Sequence, residues 1–253
     1  MKQPSEIGPA RGKLGILLPG FGAVATTFVA GVEAARRGLA EPFGSLTQMN
    51  TIRLGRRTDG RTPLIKDFVP LATLDDLVFG AWDPIPDDGY ASAVNAGVLH
   101  KENHLDPIRD FLSSIKPMAA AFDTDYVKKL DGPNKKTGTK KEQAEEIRAD
   151  IRNFMAEHGC DRAVMVWCAS TEVFLRPGAA HETIEAFEAA MEADDPAIAP
   201  SMLYAYAAIM EGVPYANGAP NLSADIPALE ELAKQKGVPI GGKDFKTGQT
   251  LMK

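Results

Sequence analysis

Short runs of apolar residues alternate with longer amphipathic segments along the chain. Residues 13–18 form an apolar run that is too short for a helix and is followed by Pro19 and Gly20, which predicts a buried β-strand. From residue 23 to residue 37 apolar positions recur at intervals of three and four, which predicts an amphipathic helix that ends before Gly38. The chain therefore opens with a strand, a glycine turn and a helix, as α/β folds do.

The same alternation continues through the rest of the chain, and no repeat of fixed period is present. We therefore expect an α/β fold with a doubly wound, Rossmann-like and mostly parallel sheet. A hairpin-like excursion is predicted between residues 47 and 70, and an extended segment at 117–122. Further strands are predicted at 77–80, 162–167 and 238–242, and helices at 92–104, 141–158, 179–191, 200–211 and 231–237.

Composition excludes several classes of protein. With 44% hydrophobic residues the chain of 253 residues can bury a core, and its net charge of −6 argues against a nucleic-acid partner. No apolar run approaches the roughly 20 residues that cross a bilayer, and residues 1–12 are typical of a flexible tail without a signal segment. Cys160 and Cys168 are too few for a disulfide framework or a four-cysteine zinc site. We expect a soluble, cytoplasmic protein that binds a small molecule.

A pair of histidines and one serine resemble parts of a metal site and of a hydrolase triad, but neither fits its pattern. His100 and His104 lie four residues apart, but their segment is not H-E-x-x-H and marks no third ligand, so the sequence predicts no metal site. Ser170 lies outside any G-x-S-x-G pattern, so a hydrolase triad is not expected either.

The turn after the first strand carries a dinucleotide-binding pattern. Residues 20–25 are Gly-Phe-Gly-Ala-Val-Ala, which fits G-x-G-x-x-G/A in the strand–turn–helix context that the pattern requires. Gly20 allows the tight turn, Gly22 lets backbone N–H groups approach a pyrophosphate, and Ala25 permits close packing of helix on strand. Because the helix N-terminus adds partial positive charge, we expect a dinucleotide diphosphate at this turn.

The residue that binds the adenosine ribose decides between NAD and NADP. A carboxylate is usual about 20 residues past the motif, but residues 51–57 contain no acid. Arg56 and Arg57 in that region favour a 2′-phosphate and hence NADP. Asp83 follows the next predicted strand and favours NAD if residues 44–75 are an insertion. Spacing alone leaves both alternatives open.

Six segments in a shared order carry more information than the glycine turn alone. They are residues 13–27, V-F-G-A-W-D at 78–83, V-W-C-A-S-T-E at 166–172, P-S-M-L-Y-A at 200–205, N-G-A-P at 217–220 and G-K-D-F-K-T-G-Q-T at 242–250. Over residues 13–253 the chain resembles the amino-terminal part of the myo-inositol-1-phosphate synthases, and the last segment is the most specific.

The resemblance implies NAD as the cofactor and D-glucose 6-phosphate as the substrate. In such enzymes the sugar is oxidised, enolised, closed by an internal aldol step and reduced again, which gives 1D-myo-inositol 3-phosphate with no net change of the cofactor. The resemblance also implies a homotetramer and three regions: a flexible tail at 1–12, an NAD-binding Rossmann-like domain at 13–240, and the start of a catalytic and oligomerisation domain at 241–253.

The resemblance further assigns roles to individual residues. Asp83 would bind the adenosine ribose, which selects NAD over NADP. Asp244 and Lys246 would be catalytic, and Asp244, Thr247 and Gln249 would contact the substrate. Cofactor contacts would come from the glycine turn and from two later loops, namely Gly20, Gly22, Ala23, Val24, Ala25, Ala169, Ser170, Thr171, Gly218 and Ala219.

The sequence departs from the family pattern at several points. The family's commoner turn is G-G-N-N-G-S, where this chain has G-A-V-A-T-T from Gly22, while Ser170 and Ala219 replace an Asn and a Ser found in many members. The sequence also ends at Lys253, before the family's S-Y-N-H-L-G-N-N-D-G segment and its catalytic lysines. We therefore predict that these 253 residues alone have no cyclase activity. Two alternatives are an NAD(P)-dependent dehydrogenase of a small polar substrate and a non-catalytic nucleotide-binding module.

Overall fold

The computed structural model describes residue 8 and residues 10–245 and contains one five-stranded parallel sheet. Its strands lie in the order β2-β1-β3-β4-β5, so the chain moves outward on one side of β1 and then crosses to the other side. This reversal between β1 and β3 is the topological switch point of a doubly wound fold. The predicted fold class is confirmed. The strands are β1 (Lys13–Pro19), β2 (Leu77–Trp82), β3 (Cys160–Trp167), β4 (Tyr215–Asn217) and β5 (Ile240–Gly242).

Helices cover both faces of the sheet, and short 3₁₀ and π turns connect several of them. In the described residues the α-helices are α1 (Ala23–Arg36), α2 (Leu46–Met49), α3 (Ile65–Phe68), α4 (Gly89–Ala96), α5 (Arg109–Ser114), α6 (Lys140–His158), α7 (Ile184–Glu192), α8 (Pro200–Met210) and α9 (Pro227–Lys236). None of the helices described there is long and apolar enough to cross a membrane.

Side chains on the two faces of β1 pack into two different hydrophobic cores. Ile16 and Leu18 point into a cluster with side chains of α1, α4 and α5, whereas Leu17 points into a cluster with α6, α7, α8 and α9. Side chains alternate between the faces of a strand, so an unbroken apolar run such as that of β1 requires cover on both faces. The apolar run therefore fits the position of β1, which lies inside the sheet between β2 and β3 and is covered on both faces.

Capping residues explain where two of the helices begin and end. Thr139 and Glu142 form a capping box at the start of α6, and Gly159 ends it in the left-handed conformation. The helix predicted at 92–104 is wrong at both ends, because Asp88 accepts a hydrogen bond from the Ala91 N–H and starts α4 at Gly89. Its end is fixed by Gly97, which adopts a left-handed conformation with φ of 64°.

The segment between α1 and β2 forms the hairpin-like excursion that the sequence predicts. Thr51 and Leu64 make an antiparallel bridge, and the N–H of Ile52 donates to the carbonyl of Pro63 at 2.9 Å. This excursion separates the glycine turn from β2 in sequence, so β2 follows the turn later than the usual spacing would place it.

Candidate functional site

The carboxyl ends of β1, β3 and β4 open onto one cleft of about 680 Å³. A cleft of this size falls within the range of ligand-binding pockets. Ligands of doubly wound sheets bind outside the carboxyl ends of the strands at the switch point, which is where this cleft lies. Predicted site residues that line it are Gly20, Gly22, Ala23, Val24, Asp83, Ala169, Ser170, Thr171, Gly218, Ala219 and Asp244.

Gly20 is required for the close approach of β1 and β3 at the cleft floor. Its φ of +87° is unfavourable for a residue with a side chain, and a Cβ there would lie 2.3 Å from Ala169 Cα. Hydrogen bonds from Gly20 N to Trp82 O at 2.8 Å and from Cys168 N to Pro19 O at 2.9 Å hold the turn between its neighbours. The glycine therefore serves the backbone geometry of the turn.

Gly22 has a different reason to lack a side chain. Its φ of −90° and ψ of −150° are open to other residues, and no atom lies within 4 Å of a Cβ built there. Gly22 is the N-cap of α1, and no side chain caps that helix end. Because the first N–H groups of a helix lack intrahelical partners, the open space beside Gly22, Ala23 and Val24 suits an anion. Ala25, by contrast, is fully buried in the α1 core and does not line the cleft.

Asp83 is tied to the glycine turn directly. Its Oδ2 accepts from the N–H of Phe21 at 2.7 Å, and its Oδ1 accepts from the N–H of Ile85 at 2.9 Å. Burial is the largest cause of the raised pKa of Asp83, which these two hydrogen bonds oppose. Each carboxylate oxygen keeps a further lone pair for a ligand hydroxyl. Arg56 and Arg57 are exposed and do not line the cleft.

Two loops form the far side of the cleft, after β3 and after β4. Gly218 N donates to Trp167 O at 3.1 Å, which joins the two strand ends. Phe245 N donates to Gly218 O at 3.1 Å, and the Phe245 ring packs where a Gly218 side chain would stand. Asp244 lies beside it on the cleft wall. Lys246, Thr247 and Gln249 lie outside the described residues, and their roles stay predictions.

The boundary expected at residue 241 falls within the last strand. Gly241 and Gly242 pair with Ala216 and Asn217 of β4, and the N–H of Asp244 donates to Asn217 O at 3.2 Å. Residues 241–245 are thus hydrogen-bonded to the five-stranded sheet of the Rossmann-like fold. That a second domain starts at residue 241 stays a prediction.

Glu172 is the cleft residue that sequence reasoning missed. Its side chain is buried at the cleft wall and hydrogen bonds to Ser201 and Asn221. Burial raises the pKa of Glu172 to about 7, against the lowering effect of the two hydrogen bonds from Ser201. Glu172 ends the V-W-C-A-S-T-E segment that carries the resemblance, but the sequence of that segment does not distinguish a buried glutamate from a surface one.

Protonation of Glu172 links stability to pH. Because its pKa is higher in the folded chain than in the unfolded one, its stabilising contribution is complete in acid and is lost as pH rises through about 7. We expect this group to lower the free energy of unfolding by about 2 kcal/mol between about pH 5 and pH 8. Urea denaturation across this range measures the slope. The Glu172→Gln variant should have a flatter profile, and an unchanged profile would contradict this assignment.

Within residues 10–245, the other reactive side chains do not assemble into a site. Burial raises the pKa of the Cys168 thiol to about 12, which disfavours the thiolate that acts as a nucleophile. His104 Nδ1 accepts from the His100 N–H at 3.0 Å, within an exposed turn. Over the part of the chain that the structure describes, no three His, Cys, Asp or Glu side chains form a group that could hold a metal ion.

Comparison with known proteins extends this picture. A family model described as myo-inositol-1-phosphate synthase, which represents an NAD-binding domain, matches residues 14–251. The chain belongs to this family. The match covers the six segments on which the resemblance is based, apart from residue 13.

Curated relatives and solved structures agree with the family model. The chain is 51% identical over 256 residues to inositol-3-phosphate synthase 1 of Bacteroides thetaiotaomicron, covering 100% of this chain and 58% of that protein. It is 37% identical over 257 residues to inositol-3-phosphate synthase 1 of Oryza sativa subsp. japonica, covering 95% of this chain and 50% of that protein. The crystal structure of inositol-3-phosphate synthase from Caenorhabditis elegans superposes with a TM-score of 0.87 at 30% identity, covering 95% of this chain and 50% of that one. The chain thus spans about half the length of the relatives it matches.

Proposed function

We propose that this chain binds NAD as the cofactor-binding part of an inositol-3-phosphate synthase. The observation that carries the proposal is the meeting of an open helix N-terminus at Gly22 with the carboxylate of Asp83 in one cleft. The membership of the chain in an NAD-binding family supports the same cofactor.

The cleft residues fit the parts of NAD one by one. The diphosphate lies against the backbone N–H groups of Gly22, Ala23 and Val24, where no side chain fills the space. Asp83 accepts hydrogen bonds from the adenosine ribose, and its negative charge repels the 2′-phosphate of NADP. The nicotinamide end lies between the loop of Ala169, Ser170 and Thr171 and the loop of Gly218 and Ala219.

We further propose that the whole protein converts D-glucose 6-phosphate to 1D-myo-inositol 3-phosphate. NAD supplies the hydride acceptor for oxidation of the sugar and the hydride donor for the final reduction. In this chain Asp244 lies on the cleft wall and is proposed to contact the sugar, together with Lys246, Thr247 and Gln249. A homotetramer in the cytoplasm is proposed on the resemblance to the family.

Titration of the chain with NAD and NADP tests the cofactor. We expect NAD to bind at least about tenfold more tightly, because a 2′-phosphate beside the Asp83 carboxylate costs at least about 1.4 kcal/mol. The Asp83→Asn variant keeps one acceptor for the Phe21 N–H but has no negative charge. It should therefore reduce the difference between the affinities for NAD and NADP. Isothermal titration calorimetry measures both affinities, and tighter binding of NADP to the wild-type chain would remove Asp83 from this role.

A fusion protein tests the reaction. Joining this chain to the carboxyl-terminal part of the 51% identical Bacteroides relative should give a protein that forms inositol phosphate from D-glucose 6-phosphate without accumulating NADH. The 253 residues alone should give no product. Accumulation of NADH would favour a dehydrogenase, and a fusion protein that binds NAD without turnover would favour a non-catalytic module.

A further inference from the structure

We propose that Glu172 is a positioning residue that fixes the nicotinamide end of the cleft by joining the loop after β3 to α8 and to the loop after β4. The proposal rests on the proposed binding of NAD and assigns to Glu172 a part in it. Neither the glycine turn nor Asp83 takes part in this arrangement.

Glu172 is held by hydrogen bonds to two residues, Ser201 and Asn221. Its Oε1 accepts from Ser201 N at 2.8 Å, and its Oε2 accepts from Ser201 Oγ and from Asn221 Nδ2 at 3.0 Å. The Glu172 N–H donates back to Asn221 Oδ1 at 3.4 Å. The side chain is 5% exposed, and its three donors are neutral groups. A buried carboxylate without an ion pair loses solvation, so its hydrogen bonds are what keep it in place.

Each partner leads to a segment that lines the cleft. Ser201 lies in the first turn of α8, and Tyr204 of the same helix lines the cleft and accepts from Ala121 N at 3.0 Å. The carbonyl of Asn221 accepts from Asn217 Nδ2 at 2.8 Å.

Asn217 in turn fixes the second loop of the cleft. Its Oδ1 accepts from the N–H of Ala219 at 2.9 Å, which orients the backbone of the loop at Gly218 and Ala219. Glu172 itself directly follows Ala169, Ser170 and Thr171 in the chain. One carboxylate therefore controls the position of both loops between which the nicotinamide is proposed to lie.

The position of Glu172 predicts an effect on one end of the cofactor only. ADP contains the adenosine and diphosphate parts that meet Asp83 and the glycine turn, but it lacks the nicotinamide end. A change at Glu172 should therefore lower the affinity for NAD and leave the affinity for ADP almost unchanged. General damage to the fold would instead lower both affinities together.

The test compares NAD and ADP affinities of the 253-residue chain by isothermal titration calorimetry. We expect Glu172→Ala to lower the affinity for NAD about tenfold and the affinity for ADP less than about twofold, as the loss of a buried hydrogen-bonding group predicts. Glu172→Gln keeps one acceptor oxygen, so its affinity for NAD should fall less than that of Glu172→Ala. Ser201→Ala removes one donor and provides a milder variant in case Glu172→Ala does not fold.

Glu33→Gln is the matched control, because Glu33 is also a buried glutamate but lies on α1 in ion pairs with Arg36 and Arg37, outside the cleft lining. It should change neither affinity. Equal weakening of NAD and ADP by the Glu172 and Ser201 variants, or no weakening of NAD, would overturn the proposal. So would a wild-type chain that binds NAD no more tightly than ADP. A wild-type chain that binds neither ligand would overturn the proposed function itself.

Discussion

The Gly22→Val variant should keep its fold and lose dinucleotide binding. The backbone angles at Gly22 are open to valine and no neighbour obstructs a Cβ, so we expect the melting temperature to change by only a few degrees. The new side chain would occupy the space through which a diphosphate reaches the first N–H groups of α1. We expect the affinity for NAD to fall on the order of 100-fold, since several charge-assisted hydrogen bonds are lost. Calorimetric titration measures this loss.

Gly31→Val provides the control for this variant. Gly31 is an exposed residue of the same helix, and no atom lies within 4 Å of a Cβ built there either. It does not line the cleft, so the same substitution should leave NAD affinity unchanged. If Gly22→Val bound NAD as tightly as the wild-type chain, the diphosphate would not lie at this turn.

The Gly20→Ala variant should have the opposite outcome, with the fold itself affected. A Cβ at Gly20 would lie 2.3 Å from Ala169 Cα and 2.4 Å from Ala169 N, so the ends of β1 and β3 would have to separate. The positive φ adds a conformational cost of about 1–2 kcal/mol. We expect a loss of more than about 3 kcal/mol in the free energy of unfolding, which urea denaturation measures.

The Gly38→Ala variant separates the cost of the positive φ from the cost of the clash with Ala169. Gly38 also has a positive φ, of 67°, but a Cβ there meets no atom within 4 Å. It should cost only the conformational part, on the order of 1 kcal/mol. A Gly20→Ala variant no less stable than Gly38→Ala would mean that the approach of Gly20 to Ala169 contributes little.

Local signals made the opening unit of the fold predictable. β1, the glycine turn and α1 appear where the sequence places them, because an apolar run, a glycine pair and helical spacing follow one another without interruption. The same logic failed at β4, which covers only Tyr215–Asn217. Three residues are too few to establish a strand pattern, and this strand exists because it pairs with Met165, Val166 and Trp167 of β3.

Contacts between distant parts of the chain set the limits of prediction at the site. Spacing could not decide between Asp83 and the arginines, because the excursion between α1 and β2 alters the usual interval. Once β2 pairs with β1, Asp83 necessarily lies at the turn, where it accepts the Phe21 N–H. Glu172 remained hidden because Ser201 and Asn221 are 29 and 49 residues away and meet it only in the folded chain.

The most direct measurement is a crystal structure of this chain with NAD. We expect diphosphate oxygens within hydrogen-bond distance of the backbone nitrogens of Gly22, Ala23 or Val24, at about 2.7–3.2 Å. We also expect an adenosine ribose hydroxyl to donate to Asp83. A diphosphate bound away from the start of α1, or a ribose on the side of Arg56 and Arg57, would contradict the proposed binding of NAD.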